Sequence, residues 1–553
     1  MTMNNTHTPP SIIDCFCLFE QTQADQLFLS EPVNGVYQNF TWKSAGDEVR
    51  KMAAAIQAMG LQKGDKVAIL SKNCAYWIMA DLAIMMAGCV SVPLYPNISA
   101  ATLQEILIHS DSKLVFIGKL DHPEQAQAAV PEHIAQVCFP FYPIKNCLNW
   151  ADLTSNQAKL EGKAEVNLES LVCIIYTSGT TGQPKGVMHT YYSMNFAVAA
   201  FLKANPTIQK EIFFSYLPLC HVAEKMLVEC GAIFSGSCIY FVESMDRFSK
   251  NLSDTQPTVF LAVPRIWEKM RDEILKKMPQ KKLNKILSIP IISSLFKKAI
   301  QKKLGLSRAH FVFTGASPIN PAILEWFSKL GITIMEAYGM TENLALSHAN
   351  RKNATFFGTV GTPYPEVSVK LGEANEILVK SPASMLGYYK EPGITADSFL
   401  DGYLRTGDEG AIDENGYLRI TGRIKDQFKT SKGKYISPAP IESKLLVSPF
   451  IDQACVVGSG MSNAIALCIL SESAKSTDKV ALVNQLQLHL AEVNKLAEHH
   501  EKINKLVLLF EEWTVDNGIL TPTLKIKRKM VEDLYQSNYN NWISAPETVL
   551  FSA

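Results

Sequence analysis

Short runs of unbroken apolar residues alternate with helical periods through the first four hundred positions. Lys66-Val-Ala-Ile-Leu70, Lys113-Leu-Val-Phe-Ile-Gly118, Leu171-Val-Cys-Ile-Ile-Tyr176 and Thr258-Val-Phe-Leu-Ala-Val263 are apolar enough to be strands covered on both faces. Helical spacing lies between them, as over residues 44–59. This alternation predicts an α/β architecture, with largely parallel sheets flanked by helices. Residues 75–94 form a long apolar stretch, interrupted by Asp81, Gly88 and Pro93. A charge at the middle of a membrane span is costly, so the stretch reads as a buried helix of about three turns and then a short strand.

The character changes near residue 420. Tyr417-Leu-Arg-Ile-Thr-Gly422 reads as a last strand, and a polar basic stretch, Arg423 to Lys434, follows it. Beyond lies a compact α+β pattern over 439–447, 453–458 and 464–471, with a helix over 480–498. A large N-terminal domain, residues 1–421, and a small C-terminal domain, residues 422–553, are the expected division. The tail beyond Ser537 reads as loosely specified.

Composition adds three points. A chain of 553 residues exceeds one ordinary core, in keeping with two domains. Lys+Arg and Asp+Glu both total 53, so no overall charge draws the chain to nucleic acid. That balance hides a local excess: residues 265–308 hold 13 Lys/Arg against 3 Asp/Glu, a local +10. Within them Ile286 to Phe296 is an apolar patch flanked by lysine pairs, a combination that can rest on anionic lipid. Twelve scattered cysteines without metal-ligand spacing suit a reducing cytoplasm. Residues 1–11 are polar and lack the charged start and apolar run of a secretory leader. The expectation is a cytoplasmic protein with peripheral contact on the inner membrane face.

The segment richest in chemistry is Tyr176-Thr-Ser-Gly-Thr-Thr-Gly-Gln-Pro-Lys-Gly-Val-Met-His189. An apolar strand runs into Thr177, Ser178, Gly179, Thr180, Thr181 and Gly182, and Lys185 follows between proline and glycine. Glycines that let backbone N–H groups face an anion, hydroxyl donors and a lysine make a phosphate cradle. A Walker loop needs Gly-Lys-Ser/Thr opening a helix, and that arrangement is missing here.

This segment resembles the phosphate loop of the adenylate-forming superfamily, which holds acyl-CoA synthetases, carrier-protein adenylation domains and luciferases. Further motifs follow in that superfamily's order. Leu217-Pro-Leu-Cys-His-Val-Ala-Glu224 has the form typical of long- and medium-chain acyl-CoA synthetases, and the resemblance puts His221 beside the carboxylate-binding pocket. Gly315-Ala316-Ser317 would form part of the adenine wall. In Glu336-Ala-Tyr-Gly-Met-Thr-Glu342, the resemblance implies that Tyr338, followed by Gly339, stacks on adenine and that Thr341 bonds the α-phosphate. Glu342 would help hold Mg²⁺, a hard cation that takes oxygen ligands. Asp408, in Gly402-Tyr-Leu-Arg-Thr-Gly-Asp408, would accept both ribose hydroxyls.

In Gly422-Arg-Ile-Lys-Asp426, Arg423 would meet ribose and phosphate, and Lys425 would be the hinge that makes the small domain mobile. Gly433 would lie in the loop that approaches the pantetheine arm of coenzyme A. In Leu520-Thr-Pro-Thr-Leu-Lys-Ile-Lys-Arg-Lys529, Lys525 would be the catalytic lysine contacting the acid and the α-phosphate, with Lys527 the weaker alternative. Thr-Leu before that lysine, where the common form has Ser-Gly, matches long-chain members.

The resemblance therefore implies an AMP-forming acid–thiol ligase that uses ATP, Mg²⁺ and coenzyme A. A fatty acid is the expected substrate, as in the long-chain and "bubblegum" branch. Two rival ligases stay open: one that passes the acyl group to a carrier protein, and one for an aryl or short-chain acid. A non-catalytic nucleotide-binding protein is opposed by Lys185, Glu342, Asp408, Arg423 and Lys525, all present.

Overall fold

A computed structural model describes residues 10–552 apart from 156, 163, 164, 166, 179–182, 476, 496, 515, 516 and 522–524. The backbone divides into two compact units. The first comprises residues up to Ala316 with Ile323–Ser368 and Val379–Leu404. The second comprises Ser317–Ala322, Val369–Leu378 and the chain from Arg405 onward.

Two sheets organise the first unit, as the apolar runs predict. One orders Gly387–Tyr388, Pro184–Thr190, Leu171–Ser178, Val90–Leu94, Lys66–Leu70, Ser112–Ile117, Ala135–Cys138 and Leu148–Asn149 side by side. Its pairings are parallel from Leu171–Ser178 to Leu148–Asn149 and antiparallel at the opposite edge. The other has a parallel centre built on Ile212–Ser215, Val259–Ala262 and Phe311–Thr314, with antiparallel pairs at both ends. Strands such as Val259–Ala262 are buried at every position, which is why they read as continuous apolar runs.

The apolar stretch near residue 80 is the helix Ala75–Met86, buried along its whole length, followed by the strand Val90–Leu94. Its single charge is neutralised in place. Asp81 accepts from Lys225 Nζ at 2.6 Å and from Ser91 Oγ, and both ends of the ion pair are fully buried. Among the described residues, no helix is long and apolar enough to cross a membrane.

The second unit holds antiparallel strands, including Leu418–Arg423 paired with Tyr403–Ile412, and then a four-stranded sheet. That sheet orders Ile451–Val457, Ala464–Leu470, Ile503–Leu509 and Val549–Ser552. Alternate residues face opposite sides. Ala454, Val456, Ala466 and Cys468 pack under the helix Lys479–Lys495, while Cys455, Val457, Ile465 and Leu467 pack with Trp513, Val531 and Trp542. The loosely specified tail is a correction. Residues Tyr539–Ser544 form a helix, and Val549–Ser552 adds a parallel strand to Ile503–Leu509. Three apolar residues, Val549, Leu550 and Phe551, suffice because a ready edge waits about forty residues upstream.

Candidate nucleotide and acid site

The phosphate segment is a β-hairpin. Leu171–Ser178 and Pro184–Thr190 pair antiparallel, with Thr177 opposite Lys185 and the end of the first strand at Ser178 opposite Pro184. Gly179, Thr180, Thr181 and Gly182 lie outside the described residues. A strand follows the loop where a Walker loop would open a helix, so Lys185 is carried by a rigid ladder. Gly186 beside it has no room for a side chain: a Cβ there would stand 2.7 Å from Ile174 Cγ2.

Distant in chain order but adjacent in the sheet, Gly387–Tyr388 pairs with Val187 and Met188. This brings Tyr388 to the centre of the site. Its hydroxyl donates to Glu342 Oε1 at 2.7 Å, and Lys185 Nζ lies 5.6 Å from its ring centroid. The Glu342 carbonyl also accepts from Met385 N–H at 2.7 Å. Thr341 is tied to the hairpin by His189, whose Nε2–H donates to the Thr341 carbonyl at 2.8 Å. Burial holds the His189 pKa down at about 4, so the ring stays neutral with its proton on the bonded nitrogen. Neither Tyr388 nor His189 was singled out in the sequence. Tyr388 belongs to none of the quoted motifs, and the His189 bond spans 152 residues.

The strand Met335–Tyr338 leads into the Thr341–Asn343 turn. Gly339 sits where a Cβ would come within 2.3 Å of the Ala345 backbone, so only glycine lets the two segments approach this closely. Tyr338 lies tilted against His348, with ring centroids 6.3 Å apart. Gly315, after the strand Phe311–Thr314, is similarly confined, a Cβ meeting the Ala337 carbonyl at 2.9 Å. Ala316 adopts φ +67°, a left-handed conformation rare for a residue with a side chain and a known mark of functional turns. Ser317 falls in the other compact unit.

His221 caps the short helix Val222–Glu224, its Nδ1 accepting from Ala223 N–H at 3.2 Å. That bond puts the proton of the neutral ring on Nε2. The helix continues as a π-helix over Lys225–Cys230, a form that concentrates at functional sites.

In the second unit, Asp408 and Arg423 stand opposite each other across an antiparallel pair, with Arg423 Nε 3.4 Å from Asp408 Oδ1. Lys425 is exposed within the tight turn Ile424–Asp426. Gly433 takes φ +79° between the paired strands Phe428–Lys429 and Tyr435–Ile436. Exposed Lys525 exchanges two bonds with Thr521: Thr521 N–H to the Lys525 carbonyl at 2.8 Å, and Lys525 N–H to Thr521 Oγ1 at 3.0 Å.

The chemistry suits a magnesium nucleotide. Magnesium keeps several waters and phosphate oxygens, so one protein carboxylate in a fixed orientation is a sufficient anchor. Glu342 is such a group. Among the described residues, no cluster of three His, Cys, Asp or Glu could hold a metal by itself.

Tyr388 thus stands between a lysine and an oriented carboxylate, an arrangement that suits a nucleotide-using enzyme of the adenylate-forming class. Residues 19–389 match the family described as AMP-binding enzyme, and residues 425–544 match the AMP-binding enzyme C-terminal domain. The chain belongs to the AMP-binding enzyme family. Long-chain-fatty-acid–CoA ligase FadD15 of Mycobacterium bovis is 28% identical to it, over 94% of each chain. Long-chain-fatty-acid–CoA ligase ACSBG2 of Xenopus laevis is 27% identical, over 95% of this chain and 83% of its own. Among solved structures, the adenylation domain of a carboxylate reductase from Mycobacterium chelonae has TM-score 0.81 at 20% identity, covering 98% of this chain and 92% of that one. The anthranilate CoA ligase AuaEII, solved with anthranoyl-AMP, has TM-score 0.79 at 19% identity, covering 97% and 99%. These structures share the large α/β unit and the smaller C-terminal unit.

Proposed function

We propose that the protein is an AMP-forming fatty-acid–CoA ligase. The carboxylate of a fatty acid attacks the α-phosphorus of ATP, forming the acyl–oxygen–phosphorus bond of acyl-AMP and releasing pyrophosphate. The thiolate of coenzyme A then attacks the acyl carbonyl, and AMP leaves. The observation that carries this reading is the Lys185–Tyr388–Glu342 arrangement, a cation and a carboxylate gathered around one tyrosine beside the hairpin. The near full-length likeness to two long-chain-fatty-acid–CoA ligases supports the choice of acid and of acceptor.

Each site residue then has a task that its chemistry allows. Thr177, Ser178 and Lys185, with the glycine and threonine residues 179–182, receive the phosphates. Tyr338, Gly339, Gly315, Ala316 and Ser317 receive adenine. Asp408 accepts from the ribose hydroxyls, and Arg423, beside it, orients that carboxylate and meets phosphate. Magnesium, when bound, neutralises phosphate charge, and Glu342 is the carboxylate that would hold it. Thr341 donates to the α-phosphate and His221 to the acid. Lys525 stabilises negative charge as the acid attacks, and Gly433 lets the pantetheine arm pass. No residue forms a covalent intermediate, so positioning and charge stabilisation dominate. Residues 422–553 act as the smaller domain and pivot at Lys425 between the half-reactions.

Pyrophosphate release with a panel of acids, each with and without coenzyme A, tests the reading. Thioester formation with long-chain acids is expected. Adenylate accumulation indifferent to coenzyme A would favour a carrier-protein acceptor, and turnover of aryl or short-chain acids alone would change the substrate class. Silence with every acid would mean nucleotide binding without catalysis.

The enzyme works on the cytoplasmic side and touches anionic membrane through residues 265–308. The helices Pro264–Lys277, Gln280–Leu287 and Pro290–Lys303 cover that stretch. Ile291 and Leu295 are 78% and 67% exposed among the lysines, the combination that partitions onto charged lipid. Sedimentation with anionic vesicles at low salt is expected to pull down the protein; a supernatant unchanged by vesicles would refute the contact.

A further inference from the structure

The turn that carries His221 is held by a residue far away in sequence. Asn73 lies between the strand Lys66–Leu70 and the helix Ala75–Met86, and is buried. Its carboxamide grips the start of the His221 turn from both sides. Nδ2 donates to Ser215 Oγ at 2.8 Å and to the Leu217 carbonyl at 2.6 Å, while Oδ1 accepts from Leu219 N–H at 3.1 Å. Glu224, beyond the turn, reaches back to the same start. Its Oε1 accepts from Ser215 Oγ at 2.8 Å and from Tyr216 N–H at 3.0 Å, and lies 3.4 Å from Asn73 Nδ2. The turn also closes on itself, with His221 N–H bonded to the Pro218 carbonyl at 2.8 Å.

The network leaves the turn little freedom. Ser215 and Glu224 are fully buried, and Leu219 and Cys220 nearly so. The buried Leu219 N–H stripped of its partner would cost about 1–3 kcal/mol, and the part-buried Leu217 carbonyl adds to this, so without Asn73 the turn is driven to rearrange. A rearranged turn carries the imidazole with it.

We infer that Asn73 is a positioning residue for the acid substrate, which sets the 217–221 turn and through it the direction of the His221 imidazole. The inference deepens the proposed function and rests on its assignment of His221 to the acid. Among the described residues, the side-chain hydrogen bonds of Asn73 all go to the 215–224 segment, so its influence falls on the acid side.

Kinetics of pyrophosphate release in Asn73→Ala, Ser215→Ala, His221→Ala and the Asn73→Ala/His221→Ala double variant test this. Asn73→Ala is expected to raise KM for the fatty acid about tenfold, the loss of one buried polar partner. KM for ATP should stay within about twofold, since uniform damage would move both constants. Ser215→Ala, which spares both backbone bonds of Asn73, should raise KM for the acid about threefold. In the His221→Ala background the Asn73 substitution should add less than about twofold, because residues acting through one another do not add.

A parallel rise in both KM values, or a full Asn73 effect without His221, would overturn the inference and leave Asn73 a general structural residue. An unchanged acid KM in His221→Ala would instead refute the assignment of His221, a distinct outcome. Should Asn73→Ala fail to fold, the isosteric Asn73→Asp, which lacks the Nδ2 donor, decides by the same ratio of constants.

Discussion

Lys225 and Lys525 are the same residue put to opposite uses. Lys225 is fully buried, bonded to Asp81 at 2.6 Å and to Glu229 at 3.1 Å, with the Trp77 ring 5.2 Å away. Burial works against its charge, but Asp81 and then Glu229 outweigh burial, and the net pKa shift is upward. Glu229 moves upward too, driven by burial, with the Lys225 ammonium pulling the other way. That charge is consumed by the fold. Lys525 is exposed, and its backbone exchanges two hydrogen bonds with Thr521. Its side chain lies at the exposed surface, whereas that of Lys225 is fully buried. The role proposed for Lys525, stabilising charge as the acid attacks, suits an exposed side chain, whereas a lysine that locks a core must be paired.

Four outcomes would sharpen or erase this distinction. Lys225→Ala leaves Asp81 buried without its partner and should cost about 3–5 kcal/mol of stability, read by urea denaturation. A wild-type midpoint would mean that the buried pair contributes nothing. Lys525→Ala should slow pyrophosphate release by about 10²–10³-fold while sparing the thermal midpoint and thioester formation from supplied acyl-AMP. Equal loss in both half-reactions would move the role elsewhere, with Lys527 next in line.

Tyr388→Phe keeps the ring beside Lys185 and removes the hydroxyl from Glu342. The Mg²⁺ concentration for half-maximal pyrophosphate release should rise about tenfold, as for a hydrogen bond to a charged group. An unchanged metal titration would reduce the hydroxyl to packing.

The gentlest effect is one of pH. Burial raises the Glu224 carboxyl to about 8 from an ordinary value of 4.5, against its bonds from Ser215 and Tyr216. The folded chain therefore holds a proton that the unfolded chain releases between these values. Stability from this group is complete below the lower value and is lost as pH rises toward the upper one, by about 1.4 kcal/mol per pH unit. Glu224→Gln should remove that share of the slope in denaturation series across the interval. Glu336, raised by burial to about 8, contributes in the same direction. A slope unchanged in Glu224→Gln would show the carboxylate to be ionised in the folded protein.

Local patterns carried most of the fold. The strand expected at 66–70 is Lys66–Leu70, and the break after residue 86 in the apolar stretch separates helix from strand as Gly88 suggests. The final strand escaped notice because a run of three apolar residues means little until Ile503–Leu509 offers its edge. The site divides in the same way. Lys185, Glu342 and Asp408 sit in segments whose glycines and hydroxyls announce themselves. Asn73 and Tyr388 act by reaching across the chain with nothing beside them in sequence to signal it; His189 closes the phosphate segment, but its partner Thr341 lies 152 residues on. The partners of Asn73 lie 142 to 151 residues downstream.

The twelve unpaired cysteines have a practical consequence. Ten are buried, and Cys147 and Cys238 are partly accessible. Thiol-reactive reagents attack the thiolate at an accessible sulfur, so a buried cysteine reacts only after its surroundings open. Cys455 and Cys468 belong to the second compact unit and the other ten to the first. Native chain quenched with an alkylating reagent and digested would therefore yield two clocks from a single sample. One would time the breathing of the nucleotide-bearing unit, and the other that of the unit with the exposed lysine.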